Sequence, residues 1–166
     1  MIAPSLLLAA ALAADPVPPA AAAPACSRPQ HRAFDFWEGS WEVTGPKGKV
    51  AGQNRIERIL SGCALQEHWT GTSGVRGTSF NWYEPADGKW HQLWLSEDGL
   101  VLRLAGGLRE GAMVLEGEAP GADGKPERQR ITWSVLPGGK VRQLWEASAD
   151  GQSWRVVFDG TYARKA

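Results

Sequence analysis

The chain has 166 residues, with 18 Lys plus Arg balanced by 18 Asp plus Glu. Setting aside the first 25 residues leaves about 140, enough for one domain that buries roughly 68% of its unfolded surface. That leader carries one charge, Asp15, so the body stays near neutral. The balance argues against nucleic acid as a partner and against a polybasic membrane patch. Nine Trp stand beside four Phe and two Tyr, with 20 Gly. Apolar heptads are absent, which excludes a coiled coil and most helical bundles.

Residues 1–25 read as a signal peptide and a Pro/Ala-rich leader. Ile2 to Ala14 is an apolar run of 13 residues, too short for a bilayer span of ~20 residues. Small residues suited to cleavage lie at Ala11–Ala13 and Ala20–Ala25, although no Lys or Arg precedes the run. The expected location is periplasmic or secreted, with no stable membrane span. Residues 26–166 form the expected domain. Its two cysteines, Cys26 and Cys63, have no metal-ligand spacing, and in an oxidising compartment they most simply pair. The alternative is two unpaired thiols.

Along the body, a helical turn or two is expected within Pro29–Trp37. Strand patterns then follow at Trp41–Gly45, Lys49–Leu60, Ala64–Gly71, Arg76–Glu84, Lys89–Ser96, Leu100–Gly106, Ala112–Ala119, Glu127–Leu136, Lys140–Ser148 and Gln152–Arg164. Asp87-Gly88, Asp98-Gly99, Asp123-Gly124, Gly138-Gly139 and Asp150-Gly151 supply tight turns between them. About ten strands joined by hairpins, with no crossover segment, imply one up-and-down antiparallel sheet. Closing it into an all-β barrel removes its edges. Trp82, Gly88, Lys89, Gln92, Leu93 and Trp94 recur 51 residues later as Trp133, Gly139, Lys140, Gln143, Leu144 and Trp145. One strand–turn–strand unit thus reads as used twice.

Period-2 alternation assigns faces. If the aromatic faces point in, the interior holds Trp69, Trp82, Trp90, Trp94, Trp145 and Trp154. Thr78 and Phe80 then share Trp82's face, and Val156 and Phe158 share Trp154's. Among the tryptophans sit Asn54, Glu67, Gln92 and Gln143. A filled core favours Val, Ile and Leu, whereas buried amides and carboxylates are costly unless bonded. The mixture points to a pocket for a small apolar or amphipathic molecule, lined by Asn54, Glu67, Trp69, Trp82, Gln92, Trp94, Gln143 and Trp145. A core in which the two glutamines bond each other or indole N–H groups is the competing reading.

His31-Arg32-Ala33-Phe34-Asp35-Phe36-Trp37-Glu38-Gly39-Ser40-Trp41 resembles the opening of a group of bacterial exported proteins that begin with FDFW-x-G-x-W. Asn54–Leu60 with Gly62-Cys63, Leu65–Trp69 and the two Gln-Leu-Trp strands resemble that group too, over about residues 26–164. The resemblance implies a lipocalin-like (calycin) barrel closed at one end by a helical turn and a G-x-W strand. It implies no reaction. The residues agree with it: Phe34, Phe36 and Trp37 cannot all be solvated, so the turn should plug one end, beside Trp41.

Glu67, between Leu65 and Trp69, is the catalytic candidate if the protein is an enzyme, an isomerase or hydrolase of a lipophilic substrate. An ion pair with Arg55 or Arg58 is the plainer alternative. Glu57 reads as a rim charge pair, and Arg142 and Glu146 as solvated. His31, His68 and His91 form no zinc motif, and His68 and His91 alternate away from the Trp face, which disfavours haem. No nucleophile elbow, phosphate loop or dinucleotide fingerprint occurs. The expectation is a binding protein with no cofactor and no metal, an enzyme and a structural envelope protein being the alternatives.

Overall fold

A computed structural model of the protein describes residues 24–165. The expected leader lies outside the described residues but for its last two. The chain opens with α1 (Pro29–Arg32) and a 3-10 turn, Asp35–Trp37. Ten strands follow: β1 Gly39–Thr44, β2 Val50–Ile59, β3 Ala64–Gly71, β4 Arg76–Glu84, β5 Lys89–Ser96, β6 Val101–Arg109, β7 Ala112–Pro120, β8 Pro126–Leu136, β9 Lys140–Ser148 and β10 Arg155–Arg164. Each pairs antiparallel with the next, and β1 pairs with β10, closing an up-and-down barrel. The strands start and stop within a few residues of the sequence patterns.

The turns form where the sequence places them for a local reason. Asp87, Asp98, Asp123 and Asp150 each accept the backbone N–H two residues on, at 2.8 to 3.2 Å. The glycine that follows each Asp takes a positive φ, which a side chain would resist.

The N-terminal segment fills one end of the barrel. Phe34, Trp37 and Trp41 are fully buried. Phe34 stacks on Trp37 at 5.0 Å and meets Trp133 and Trp90 edge-on at 5.0 and 5.6 Å. Two indole N–H groups pin the plug to the wall: Trp41 Nε1 donates to the Trp37 carbonyl at 2.9 Å, and Trp90 Nε1 to the Gln30 carbonyl at 3.0 Å. Around the rim, Arg58 reaches Asp35 at 3.0 Å and Glu38 at 2.6 Å, and Arg32 donates to the Gly62 carbonyl. A Cys26–Cys63 disulfide ties the segment to the β2–β3 connection.

Two face assignments differ from the sequence reading. Trp82, with Thr78 and Phe80, lies on the outside of the barrel; Ser79 and Asn81 point in and are fully buried. The register explains it, because Glu67 and Leu65 of β3 sit opposite Ser79 and Asn81 and paired residues share a face. Trp82 instead stacks on His91 across the outer wall at 5.3 Å. Trp154 precedes β10 and lies against the Arg130 guanidinium at 3.9 Å, on the outer side. A bulge between Val156 and Phe158 breaks the alternation, so Val156 is exposed while Phe158 packs inward.

The internal echo survives in one strand of each hairpin only. Gln92 and Gln143 both face inward. However, β4–β5 pairs Trp82 with His91, whereas β8–β9 pairs Trp133 with Gln143. The tighter Pro137–Gly139 turn slips the second hairpin by one residue, which turns Trp133 into the core and leaves Trp82 outside.

Two outcomes are expected from this architecture. Reducing the disulfide, which closes a loop of 37 residues, should lower unfolding stability by about 3–4 kcal/mol in the chain-entropy model, read by urea denaturation with and without reductant. Trp37→Ala should cost about 3–5 kcal/mol in the same assay, since Trp37 is fully buried and its loss leaves a cavity among the packed rings.

Candidate functional site

The barrel is filled by aromatic rings at the plugged end and by a polar layer in its middle. At the other end, bounded by the β3–β4, β5–β6 and β9–β10 connections, a half-open cavity of about 180 Å³ remains. Its walls are Trp69, Trp94, Trp145 and Phe158, with Val157 at the rim, and its floor holds Glu67, Gln92, Gln143 and Tyr162.

Glycines make room for those walls. A Cβ on Gly52 would fall 2.6 Å from the Trp69 ring, and one on Gly77 would strike Trp94. Each indole therefore lies along a bare stretch of the neighbouring strand, and Phe158 lies against Gly160, two residues on in its own strand. Rings held against the wall leave the lumen open. Trp145 is oriented by its Nε1, which donates to Gln129 Oε1 at 2.8 Å.

The floor is one connected set of hydrogen bonds. Glu67, 4% exposed, takes an N–H from Asn54 at 2.6 Å on one oxygen and the Ser79 hydroxyl at 2.6 Å on the other. Asn54 also reaches the Tyr162 hydroxyl at 3.3 Å, and that hydroxyl donates to Gln143 Oε1. Asn81 donates to Ser79 Oγ at 2.8 Å, and Gln92 donates to Asn81 Oδ1 at 2.9 Å. Burial pushes the Glu67 carboxyl up to about 7, against the two hydrogen bonds that favour its ionised form. Burial, joined by the nearby Glu67 charge, holds the Tyr162 phenol well above its ordinary value, so it stays neutral.

Of the eight residues read from sequence as a pocket, six line this cavity: Glu67, Trp69, Gln92, Trp94, Gln143 and Trp145. Asn54 stands behind Glu67 in the second rank of the floor. Trp82 is outside, as described above. The ion-pair alternative for Glu67 is not formed, because Arg55 bonds Glu57 and Arg58 bonds Asp35 and Glu38. Gln92 and Gln143 do not bond each other; each bonds a different wall. Arg142 and Glu146 lie on the outer face, paired with Asp159 at 2.8 Å and Arg130 at 3.0 Å.

His68 and His91 are on the outer wall, beside Glu57 and Asp87, and His31 packs edge-on to Tyr83 at the plug. Among the described residues no three His, Cys, Asp or Glu side chains converge as a metal site would need. Sequence reasoning missed Ser79, Asn81, Tyr162 and Val157. The strand glycines Gly52, Gly77 and Gly160 were the available signal, since glycine inside a strand marks the close approach of another group. No protein-family model matches the chain, and neither does any curated protein.

The Glu67 environment sets a pH dependence. The folded protein keeps the carboxyl proton up to about 7, whereas the unfolded chain releases it near 4.5. The folded state therefore binds more protons between those values, and stability falls as pH rises through that window, then levels off. At about 1.4 kcal/mol per pH unit, the contribution of this group reaches about 3 kcal/mol. Glu67→Gln should remove that slope, measured as the difference between wild-type and variant unfolding free energies from pH 4.5 to 8.

Proposed function

We propose that this protein is an exported calycin-like barrel that binds a small apolar or amphipathic molecule in its unplugged end. The observation that carries the reading is the cavity itself: aromatic walls held back by glycines, over a floor of convergent polar groups. Mostly apolar clefts with a few placed polar groups are the common form of a small-molecule site. A closed barrel of ten strands is wide enough to hold a ligand once one end is plugged. The disulfide supports an oxidising compartment, in line with the leader. The FDFW-x-G-x-W opening supports the calycin kinship, because the plug it forms is the element that resemblance implies.

One observation favours a second reading, an enzyme acting on a lipophilic molecule. Glu67 lines the cavity with a proton affinity near neutrality, as a general acid or base requires.

Native mass spectrometry of the mature protein from its own cell envelope, beside a denatured control, tests the main reading. A mass excess lost on denaturation is the expected result. No excess, together with no thermal shift across a panel of lipophiles and haem, would overturn it in favour of a filled structural barrel. Glu67→Gln then separates binder from enzyme: the binder retains ligand, whereas the enzyme converts the retained molecule only when Glu67 is present.

A further inference from the structure

The orientation of the floor amides is determined by a backbone carbonyl. Leu65 O can only accept, and it faces Asn81 Nδ2 at 3.4 Å. With its NH2 turned to Leu65 O and Ser79 Oγ, Asn81 offers its oxygen to Gln92. Gln92 therefore spends its NH2 on the wall, and Gln92 Oε1 is left buried with no partner. Asn54 likewise turns its NH2 to Glu67 and leaves Oδ1 buried without a partner. An ionised carboxylate has about four acceptor positions, and Glu67 uses one bond on each oxygen.

The floor thus presents one charged group, the Glu67 carboxylate, while Gln143 Oε1 is taken by the Tyr162 hydroxyl. No Lys, Arg or His is among the residues that line the cavity. The walls are three indoles and a phenyl ring, aromatic systems whose π-clouds attract cations. An anionic head group would meet unfavourable charge at the floor and along the walls. A donor-rich cation would be complemented at both.

We propose that the cavity selects a small molecule bearing a protonated amine on a ring-sized apolar body, with the ammonium donating to Glu67. The inference rests on the proposed reading of the cavity as a ligand site. The size follows from the volume, about 180 Å³, close to the ~150 Å³ of a cavity known to hold benzene. Glu67 is bonded by Asn54 of β2 and Ser79 of β4 and shares the cavity lining with Gln92 of β5, Gln143 of β9 and Tyr162 of β10, the remaining lining residues being apolar or indoles. Among these neighbours only Tyr162 titrates, and it stays neutral. Amine affinity therefore tracks ionisation of Glu67 and rises from pH 5.5 to 8, a range over which an alkylamine stays protonated.

The test is a calorimetric titration of the purified mature protein with three probes of similar size: 2-phenylethylamine, 2-phenylethanol and phenylacetate. At pH 8 the amine should bind at least tenfold tighter than the alcohol, with phenylacetate weakest. The amine-to-alcohol ratio should shrink toward one at pH 5.5 and in Glu67→Gln. Phenylacetate binding as tightly as the amine, or an amine-to-alcohol ratio near one at pH 8, would overturn the charge selection while leaving the cavity a binding site. No binding of any probe at millimolar concentration would overturn the ligand-site reading and this proposal with it. Should Glu67→Gln fail to fold, the ratio and its pH dependence in the wild-type protein decide the matter.

Discussion

Closure of ten antiparallel strands creates an interior that the walls alone do not fill, and every other feature of this molecule answers to that volume. A closed sheet has no edge to protect, which is its gain. Its cost is a lumen that must be packed, or hydrated, or occupied. The N-terminal segment packs one end with Phe34 and Trp37, rings large enough to touch Trp90 of β5 and Trp133 of β8. The disulfide and the Arg32 and Arg58 contacts then keep that segment seated. Because the plug enters from one side only, the other end is left open.

The middle layer separates the two ends and carries the electrostatics. A carboxyl is costly inside a barrel, and here no cation offsets it. Amide and hydroxyl donors from β2 and β4 do so in part, which is why its proton affinity stays raised instead of collapsing to that of a salt-bridged acid. The same donors, committed to Glu67 and to one another, leave Asn54 Oδ1 and Gln92 Oε1 buried without a partner. The polarity of the cavity floor is thus a by-product of how the buried carboxyl is solvated by the protein.

Much of this was legible from residue order. Turn chemistry and alternation located all ten strands, and the unsolvable aromatics of Phe34–Trp37 announced the plug. Six of the eight pocket residues followed from the parity of three strands, β3, β5 and β9, which carry regular alternation without bulges. The errors fell where parity is not local. Ser79 and Asn81 look like surface residues and Phe80 and Trp82 like core, and only pairing with β3 reverses them. Beyond Trp154, a bulge in β10 changes the face within two residues.

The sequence by itself determined the number of strands, their order and their hairpin connectivity, because those depend on short-range turn and backbone preferences. It also determined that some polar groups must lie among the tryptophans. Tertiary structure decided which partner each of those groups has, that Glu67 is held by Asn54 and Ser79 and not by arginine, and that the Trp69 and Trp94 rings come close against Gly52 and Gly77. These outcomes turn on the register between strands, where a slip of one residue exchanges inside for outside. No single strand contains that information; it exists only once the barrel is closed.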